Sequence, residues 1–345
     1  MFKSNTIKSI ILFACFSSLV AVAQTKGNVT GKIFFNYHYD MAEDAEQEGA
    51  FEIQKAYFGY NYTFNDKFSA KLFFDVGKDD GSDYTVYLKA AQLDYKATDW
   101  LKFSGGIIGF NQFSDQQKFW GYRYVFKSFQ DEYGLGAGTD LGLNAEFKLH
   151  KSLKMNLFIL NGEGYKKVQD PYGKYKIGGN LVYNPIEALT FKVYYSAQDS
   201  KKMIGKEPDK ILVENPTVTN LALFAGYDFN RKFRIGAEYN AMYDGKKYSD
   251  AALDHDLDGF SIYSTYVIND KFEIFGRYDQ LGSNKVGTAT SSWNASKDGS
   301  AILAGIQYLP VEGVSSSLNL RTWNFDLATK NTESLLYLNL EYQFL

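Results

Sequence analysis

The feature that most constrains this chain is a two-residue periodicity that continues through almost its whole length. In the first segment Val29, Ile33 and Tyr37 fall on one side, while Lys32 and Asn36 fall on the other. Such alternation is typical of β-strands with one apolar and one polar face. Sixteen segments of this kind can be drawn, at residues 28–39, 51–64, 68–76, 86–97, 101–109, 139–149, 153–160, 174–184, 189–196, 218–229, 233–242, 258–268, 272–279, 300–309, 314–325 and 334–345.

The connections between these segments alternate strictly in length. Seven are tight, at residues 65–67, 98–100, 150–152, 185–187, 230–232, 269–271 and 310–313. Eight longer polar loops alternate with them, at residues 40–50, 77–85, 110–138, 161–173, 197–217, 243–257, 280–299 and 326–333. This wiring predicts an all-β, closed, transmembrane up-and-down antiparallel β-barrel of about 16 strands, with turns on one rim and loops on the other.

The N-terminus predicts export. Lys3 and Lys8 precede a short apolar run that is too short to span a bilayer, and Ala21-Val22-Ala23 has the small-x-small pattern of a signal-peptidase site. We therefore predict a signal peptide at residues 1–23 and a single barrel domain at residues 24–345. Alternatively, Cys15, the only cysteine, marks a lipoprotein cleavage site. In either case a single cysteine provides no disulfide framework.

Composition favours a membrane barrel over a secreted β-sandwich. Tyr and Phe number 27 and 28, Pro only 5, and no apolar run of 18 residues follows the signal peptide. An aromatic-rich chain that is polar on average (mean hydropathy −0.32) fits strands with lipid-facing and water-facing sides. The formal charge is −3, or −5 without Lys3 and Lys8, which excludes a strongly basic nucleic-acid-binding protein.

A barrel of 16 strands is wide enough to hold an aqueous lumen. The inward positions of the predicted strands carry eleven cations and nine anions, which predicts a mild preference for anions. The alternative is that most of these side chains are merely solvated and mutually paired. The residues that we predict to line the pore are Lys71, Lys154, Lys176, Arg234, Arg277 and Arg321.

The longest loop, residues 110–138, is the third on the extracellular rim. Its many aromatic residues, such as Trp120 and Phe129, need a surface to bury against, so the loop suits a packed insert. They could instead stack against a sugar or a planar solute. Five charged residues of the loop are predicted to form a constriction: Asp115, Lys118, Arg123, Lys127 and Asp131.

No catalytic site, cofactor or metal is predicted. His38, His150 and His255 show neither a metal-ligand spacing nor the spacing of a Ser/His/acid site. The run that begins Asp254-His255-Asp256 matches half of a calcium loop, but Thr265 stands where an EF-hand has a bidentate Glu. A solvated acidic loop, or weak Ca²⁺ binding on the outer face, are the two interpretations.

The sequence also resembles a family. The run Trp120-Gly121-Tyr122-Arg123-Tyr124-Val125 resembles a segment of porins from Bacteroidetes-type bacteria. The run Phe51-Glu52-Ile53-Gln54-Lys55-Ala56-Tyr57-Phe58-Gly59 is similar to a motif of the phosphate-selective porin O and P family. The resemblance implies an outer-membrane porin of 16 strands, usually trimeric, whose third loop folds into the barrel. It does not transfer phosphate specificity, because this chain has only five Arg, the better bidentate partner for phosphate.

Together these observations predict a porin in the outer membrane of a Gram-negative bacterium, with outer-membrane lipid around it. Small hydrophilic solutes or ions would diffuse passively through its channel. The alternative is a barrel whose extracellular loops bind a partner or a specific substrate, in an adhesion or receptor role.

Overall fold

The structure, a computed structural model, describes residues 26–42, 48–78, 83–170, 173–204 and 211–344. The predicted signal peptide at residues 1–23 lies outside these ranges. The elements in chain order are β1 (Gly27–Asp40), β2 (Gly49–Thr63), β3 (Phe68–Lys78), β4 (Tyr84–Lys96), β5 (Leu101–Gly109), α1 (Ser114–Trp120), α2 (Phe129–Glu132), β6 (Thr139–His150), β7 (Leu153–Leu160), β8 (Gly173–Tyr183), β9 (Leu189–Ile204), β10 (Ile211–Glu214), β11 (Val218–Phe229), β12 (Phe233–Tyr243), β13 (Gly245–Lys247), β14 (Asp250–Ala251), β15 (Leu257–Asn269), β16 (Phe272–Ser283), β17 (Gly299–Val311), β18 (Val314–Phe325) and β19 (Glu333–Phe344).

Sixteen of these strands form one closed antiparallel barrel, as the sequence predicts. Each strand pairs with its neighbours along the chain, and β1 pairs with β19 from Gly31↔Phe344 to Asp40↔Leu335. The remaining three strands belong to loops: β10 pairs with the far end of β9, and β13 pairs with β14. Closure satisfies the backbone hydrogen bonds of both end strands, which a sheet in lipid requires.

The two faces of the wall differ as the periodicity predicts. Leu143, Leu318 and Leu338 are 61%, 50% and 54% exposed on the outer face, whereas Asn36 and Asn339 are fully buried inside. Large rings surround the rim of short turns, and several form pairs, such as Phe68 with Tyr95 and Phe272 with Tyr308. An apolar outer band with aromatic residues at its border is the surface that a membrane barrel presents to lipid.

The tight turns use asparagine for a specific reason. The side-chain oxygen of Asn65 accepts hydrogen bonds from the backbone N–H groups of Lys67 and Phe68, both at 2.9 Å. Asn269 repeats this arrangement with Lys271 and Phe272. An asparagine that caps its own turn stabilises a short hairpin without extra residues. The recurring Asn-x-Lys-Phe sequence therefore marks turns of the short rim.

The structure departs from the sequence prediction mainly near the long loops. Strand β9 continues beyond residue 196 to Ile204, because its end pairs first with β11 and then with β10. Two β-bulges, which strict alternation cannot reveal, interrupt β2 and β4. In the described residues, no helix is both long and apolar enough to cross a membrane.

Candidate functional site: the loop-narrowed lumen

The loop between β5 and β6, residues 110–138, contains two short helices. Helix α1 ends at Gly121, whose φ of 81° is a left-handed conformation that glycine adopts without strain. The chain then turns back, and Trp120 donates a hydrogen bond from Nε1 to the carbonyl of Phe126 at 3.0 Å. Helix α2 follows after Ser128. The loop thus has a compact fold of its own.

The aromatic residues of the loop pack against the inner wall of the barrel. Trp120, Tyr122 and Tyr124 are at most 2% exposed, although they belong to a loop. The ring of Tyr122 lies 4.2 Å from that of Phe275 on β16, and Trp120 contacts Tyr263 on β15 edge-on at 5.4 Å. Burial of such large rings is the main apolar contribution that holds the loop inside the barrel.

Arg277 on β16 ties the middle of the loop to the wall. Its guanidinium makes two hydrogen bonds of 2.7 Å to the carboxylate of Asp279 and donates one of 2.6 Å to the backbone oxygen of Lys127. It also lies over the rings of Trp120 and Phe126 at 5.4 and 4.9 Å. The contacts with Lys127, Trp120 and Phe126 require the loop to occupy its observed position, whereas Asp279 lies on the same strand as Arg277.

Lys192 on β9 ties the start of the loop in the same way. Its Nζ donates to the side-chain oxygens of Asn111 and Gln116 at 3.0 Å and to the backbone oxygen of Gln112 at 3.1 Å. Asp115 lies 3.5 Å away and supplies the compensating charge. A buried ammonium that is saturated in this way stabilises one loop conformation, because any other leaves the charge unpaired.

Between the loop and strands β2 to β4 lies a cavity of about 650 Å³, the loop-side chamber. Its charged lining, in the described residues, is Lys55, Lys89, Arg123, Lys127, Lys166 and Arg321 against Glu52, Asp75, Asp131 and Glu132. Arg123 and Asp131 form an ion pair at 3.0 Å. Burial disfavours the charge of Asp131, but the attraction of Arg123 and Lys127 outweighs it and holds the pKa of Asp131 below its ordinary value.

A second cavity of about 520 Å³, the turn-side chamber, lies between the other side of the loop and the short-turn rim. Its charged lining, in the described residues, is Lys102, Lys118, Lys154 and Arg234 against Asp115, Glu146 and Asp228. Ser114 lines both chambers, so α1 separates them. Cations outnumber anions in each chamber, by two and by one.

The structure places the predicted site residues in three environments. Arg123, Lys127, Asp131 and Arg321 line the loop-side chamber, and Asp115, Lys118, Lys154 and Arg234 line the turn-side chamber. Lys71 is exposed on the inner face opposite Asn61 and Gln92. Lys176 and Arg277 face inward but are 1% and 4% exposed, and they lie beneath loops outside both chambers.

Several lining residues were not among the predicted ones, notably Lys55, Lys89, Tyr165 and Lys166. Lys89 is the unpaired residue of the bulge in β4, so alternation alone does not assign its direction. Tyr165 and Lys166 belong to the loop that follows β7, and only the fold brings Tyr165 to Asp75 of β3 and Lys166 to Tyr87 of β4. Their aromatic and basic character gave no sign of this.

The described residues contain no group of three or more His, Cys, Asp or Glu side chains arranged to hold a metal ion. In the acidic loop, Asp244 and Asp256 accept hydrogen bonds from backbone N–H groups of the same loop, and Asp258 accepts one from Tyr239. The three histidines lie on separate elements.

No protein-family model and no curated protein matches this sequence. Solved structures do match the fold. OmpF of Salmonella typhi, in complex with daunomycin, has a TM-score of 0.68 at 14% identity, over 92% of this chain and 97% of OmpF. A trimer form of OmpT, an outer membrane protein of Vibrio cholerae, has a TM-score of 0.62 at 14% identity, over 92% of this chain and 99% of OmpT. A mutant porin of Rh. blastica has a TM-score of 0.60 at 14% identity, over 92% of this chain and 100% of that porin. The chain therefore has the fold of outer-membrane porins.

Proposed function

We propose that this protein is an outer-membrane porin through which small hydrophilic solutes and ions diffuse passively. The observation that carries the proposal is the contrast between an apolar outer band and a lumen lined by charged side chains and narrowed by a packed loop. A barrel of this circumference holds water unless it is filled, and here the loop fills it only in part. The chambers on either side of α1 would be the two halves of the path.

In this proposal the loop at residues 110–138 is the constriction. Arg123, Lys127, Asp131 and Arg321 would act on solutes in the loop-side chamber, and Asp115, Lys118, Lys154 and Arg234 in the turn-side chamber, with Lys71 on the adjoining wall. Arg277 would act indirectly, by positioning the loop. Lys176, buried near Asp140 and Tyr248, would support the wall rather than meet solutes. Since cations exceed anions only slightly, the selectivity would be mild and would favour anions.

We further infer that the protein is exported by its N-terminal signal peptide to the outer membrane of a Gram-negative bacterium, where it assembles as a homotrimer. The trimer form of the similarly folded OmpT supports this assembly. Phosphate selectivity is not part of the proposal. The resemblance to the phosphate-selective porin family rests on short motifs, and the lumen carries only four arginines among the described residues. Chemical cross-linking of the purified protein would test the trimer.

Single-channel recording in a planar bilayer tests the channel itself. The purified protein should give stable conductance steps in KCl, and a variant in which a short Gly/Ser linker replaces residues 114–132 should give larger steps. A β-barrel that inserts into the bilayer but never conducts would refute the proposal. That result would favour the alternative role, in which the extracellular loops bind a partner.

A further inference from the structure

The loop-side chamber has one strongly basic wall, and two β-bulges create it. In β2 the bulge at Gln54 allows Glu52 and Lys55 both to face inward, although they are three residues apart. In β4 the bulge leaves Lys89 unpaired between Leu88 and Ala90, and it points into the chamber. Bulges commonly redirect side chains next to functional sites. Here both bulges place a lysine beside the same residue of β3, Asp75.

Asp75 is fully buried, and its ion pairs and hydrogen bonds to the described residues all involve one carboxylate oxygen. Its Oδ2 lies 3.1 Å from Lys55 Nζ and 3.6 Å from Lys89 Nζ, and it also accepts a hydrogen bond from the hydroxyl of Tyr165. Gly77 leaves room for this cluster, since a Cβ atom there would lie 2.7 Å from Lys55 Nζ. One carboxylate thus holds two lysines in fixed positions, and a positive charge remains.

Lys166 adds a further cation to this wall. Its Nζ lies 4.5 Å from the ring of Tyr87, and Lys89 Nζ lies 4.3 Å from the ring of Tyr57. Cation–π contacts fix the direction of these side chains without neutralising them. Elsewhere in the chamber Arg123 pairs with Asp131, and Lys127 with Glu132 at 3.7 Å. Arg321 donates hydrogen bonds to Asn319 and Asn339, and its charge is offset in the chamber by that of Glu52. The excess positive charge is therefore concentrated at the basic wall.

A second wall of the same chamber is aromatic. Phe126 and Trp323 contact each other at 6.0 Å, and Tyr337 lies nearby with the guanidinium of Arg321 at 3.5 Å from its ring. Trp323 and Tyr337 belong to β18 and β19, which continue the barrel wall beyond β1 and β2. A solute in the chamber would meet ring faces on one side and ammonium groups on the other. The volume of about 650 Å³ lies within the usual range for small-molecule sites.

We propose that the loop-side chamber is a subsite for organic anions whose carboxylate is carried on a ring. The carboxylate would bind Lys89 and Lys166 beside Asp75, and the ring would pack against Phe126 and Trp323. Aromatic acids and sugar acids share this chemistry, because both present a flat or weakly polar face next to the charge. The proposal rests on the proposed channel function and gives it a preferred class of solute.

Block of single-channel current measures this preference. The probes are benzoate and glucuronate as ring carboxylates, acetate as a carboxylate without a ring, and benzamide and glucose as neutral rings. At least one ring carboxylate should reach half-block at a concentration about tenfold lower than acetate, which corresponds to about 1.4 kcal/mol. Comparison of benzoate with glucuronate shows whether the preferred ring is aromatic or that of a sugar. Equal block by acetate, or equal block by the neutral ring, would overturn the subsite.

Variants locate the subsite. Lys89→Met and Lys166→Met should each weaken block by the preferred ring carboxylate several-fold, and Trp323→Ala should weaken it without affecting block by acetate. Lys148→Met is the matched control, because Lys148 faces inward near the short-turn rim, outside the loop-side chamber. If Lys148→Met weakens block as much as Lys89→Met, the effect is general electrostatics and the subsite is wrong. Stable conductance steps in every variant, whatever their size, would show that each variant still forms a channel.

Discussion

The inner wall of the barrel has a covered part and an open part, and they differ although their sequences look alike. Beneath the loop, Lys192 and Arg277 have side-chain exposures of 0% and 1%, and every contact they make is to the loop or to a neighbouring carboxylate. On the open wall, Lys102 pairs with Glu146 while remaining 38% exposed. Both kinds of position carry an inward lysine or arginine on a β-strand. For these three residues, cover by the loop separates the buried cations from the exposed one.

The reason is the cost of removing a charge from water. Lys192 and Arg277 make three hydrogen bonds each beneath the loop, so removal of either side chain leaves buried acceptors without a partner. A cation on the open wall keeps water as a partner, and its ion pair contributes little to stability. Substitutions on the two walls should therefore change different properties, stability and loop position on one and selectivity on the other.

The largest expected effect is that of Arg277→Met on the covered wall. Asp279 would be left buried without its partner, and breaking a buried ion pair in this way costs about 3–5 kcal/mol. The free energy of unfolding in denaturant, measured in lipid vesicles, should fall by that amount. Conductance should rise, because the hydrogen bond from Arg277 to the backbone oxygen of Lys127 is lost and the loop is no longer held. Arg231→Met, at an exposed turn position, is the matched control and should stay within about 0.5 kcal/mol.

A second variant separates charge from loop position. In Arg277→Met with Asp279→Leu the uncompensated carboxylate is gone, so much of the stability should return while the conductance stays high. If conductance returns to normal together with stability, the guanidinium does not position the loop.

An intermediate effect, of a different kind, is expected from Lys154→Gln on the open wall. Lys154 is exposed in the turn-side chamber, where cations exceed anions by one. Its loss should shift the reversal potential in a KCl gradient towards cation preference, while stability stays within about 0.5 kcal/mol. A stability loss as large as that of Arg277→Met would contradict the distinction between the two walls.

The smallest expected effect comes from pH at the Arg123–Asp131 pair. The pKa of Asp131 lies below its ordinary value of 3.8, so the carboxylate stays ionised as pH falls from neutral towards that value. A depressed carboxyl pKa contributes stability that is lost only as pH falls through the folded-state pKa. The contribution of Asp131 to the conductance should therefore stay constant as pH falls from neutral towards 3.8, and should change only at lower pH. Asp131→Asn should remove that part of the change, and an identical acid response in the variant would assign it to another group.

Much of the fold follows from local pattern. The alternation in β1 and the capped turn at Asn65 predict strands and a short rim, because each depends only on neighbouring residues. Strand β4 shows the limit of this reasoning. Its bulge at Lys89 depends on the register with β3, so no count along β4 reveals that Tyr87 and Lys89 face inward together with Gln92, which lies at an odd spacing from both.

The candidate site was predictable only in outline. The aromatic content of residues 110–138 indicates a packed insert, but the partners Lys192, Tyr263 and Phe275 lie far away in sequence. Their contacts form only when the barrel closes around the loop. For the same reason Arg277 and Lys154 look equivalent in the sequence, whereas Arg277 is buried beneath the loop and Lys154 lines the turn-side chamber.

By itself, the sequence determined the strand number, the two rims and the inward direction of charges such as Arg277 and Lys154, because periodicity and turn chemistry are local. Only the tertiary structure decided which of those charges are buried, where the cavities lie and which lysines share Asp75. Those properties depend on how a loop from one side of the barrel meets walls on the other. Burial and water access depend on how that loop packs against the wall, and no single segment of the sequence encodes this packing.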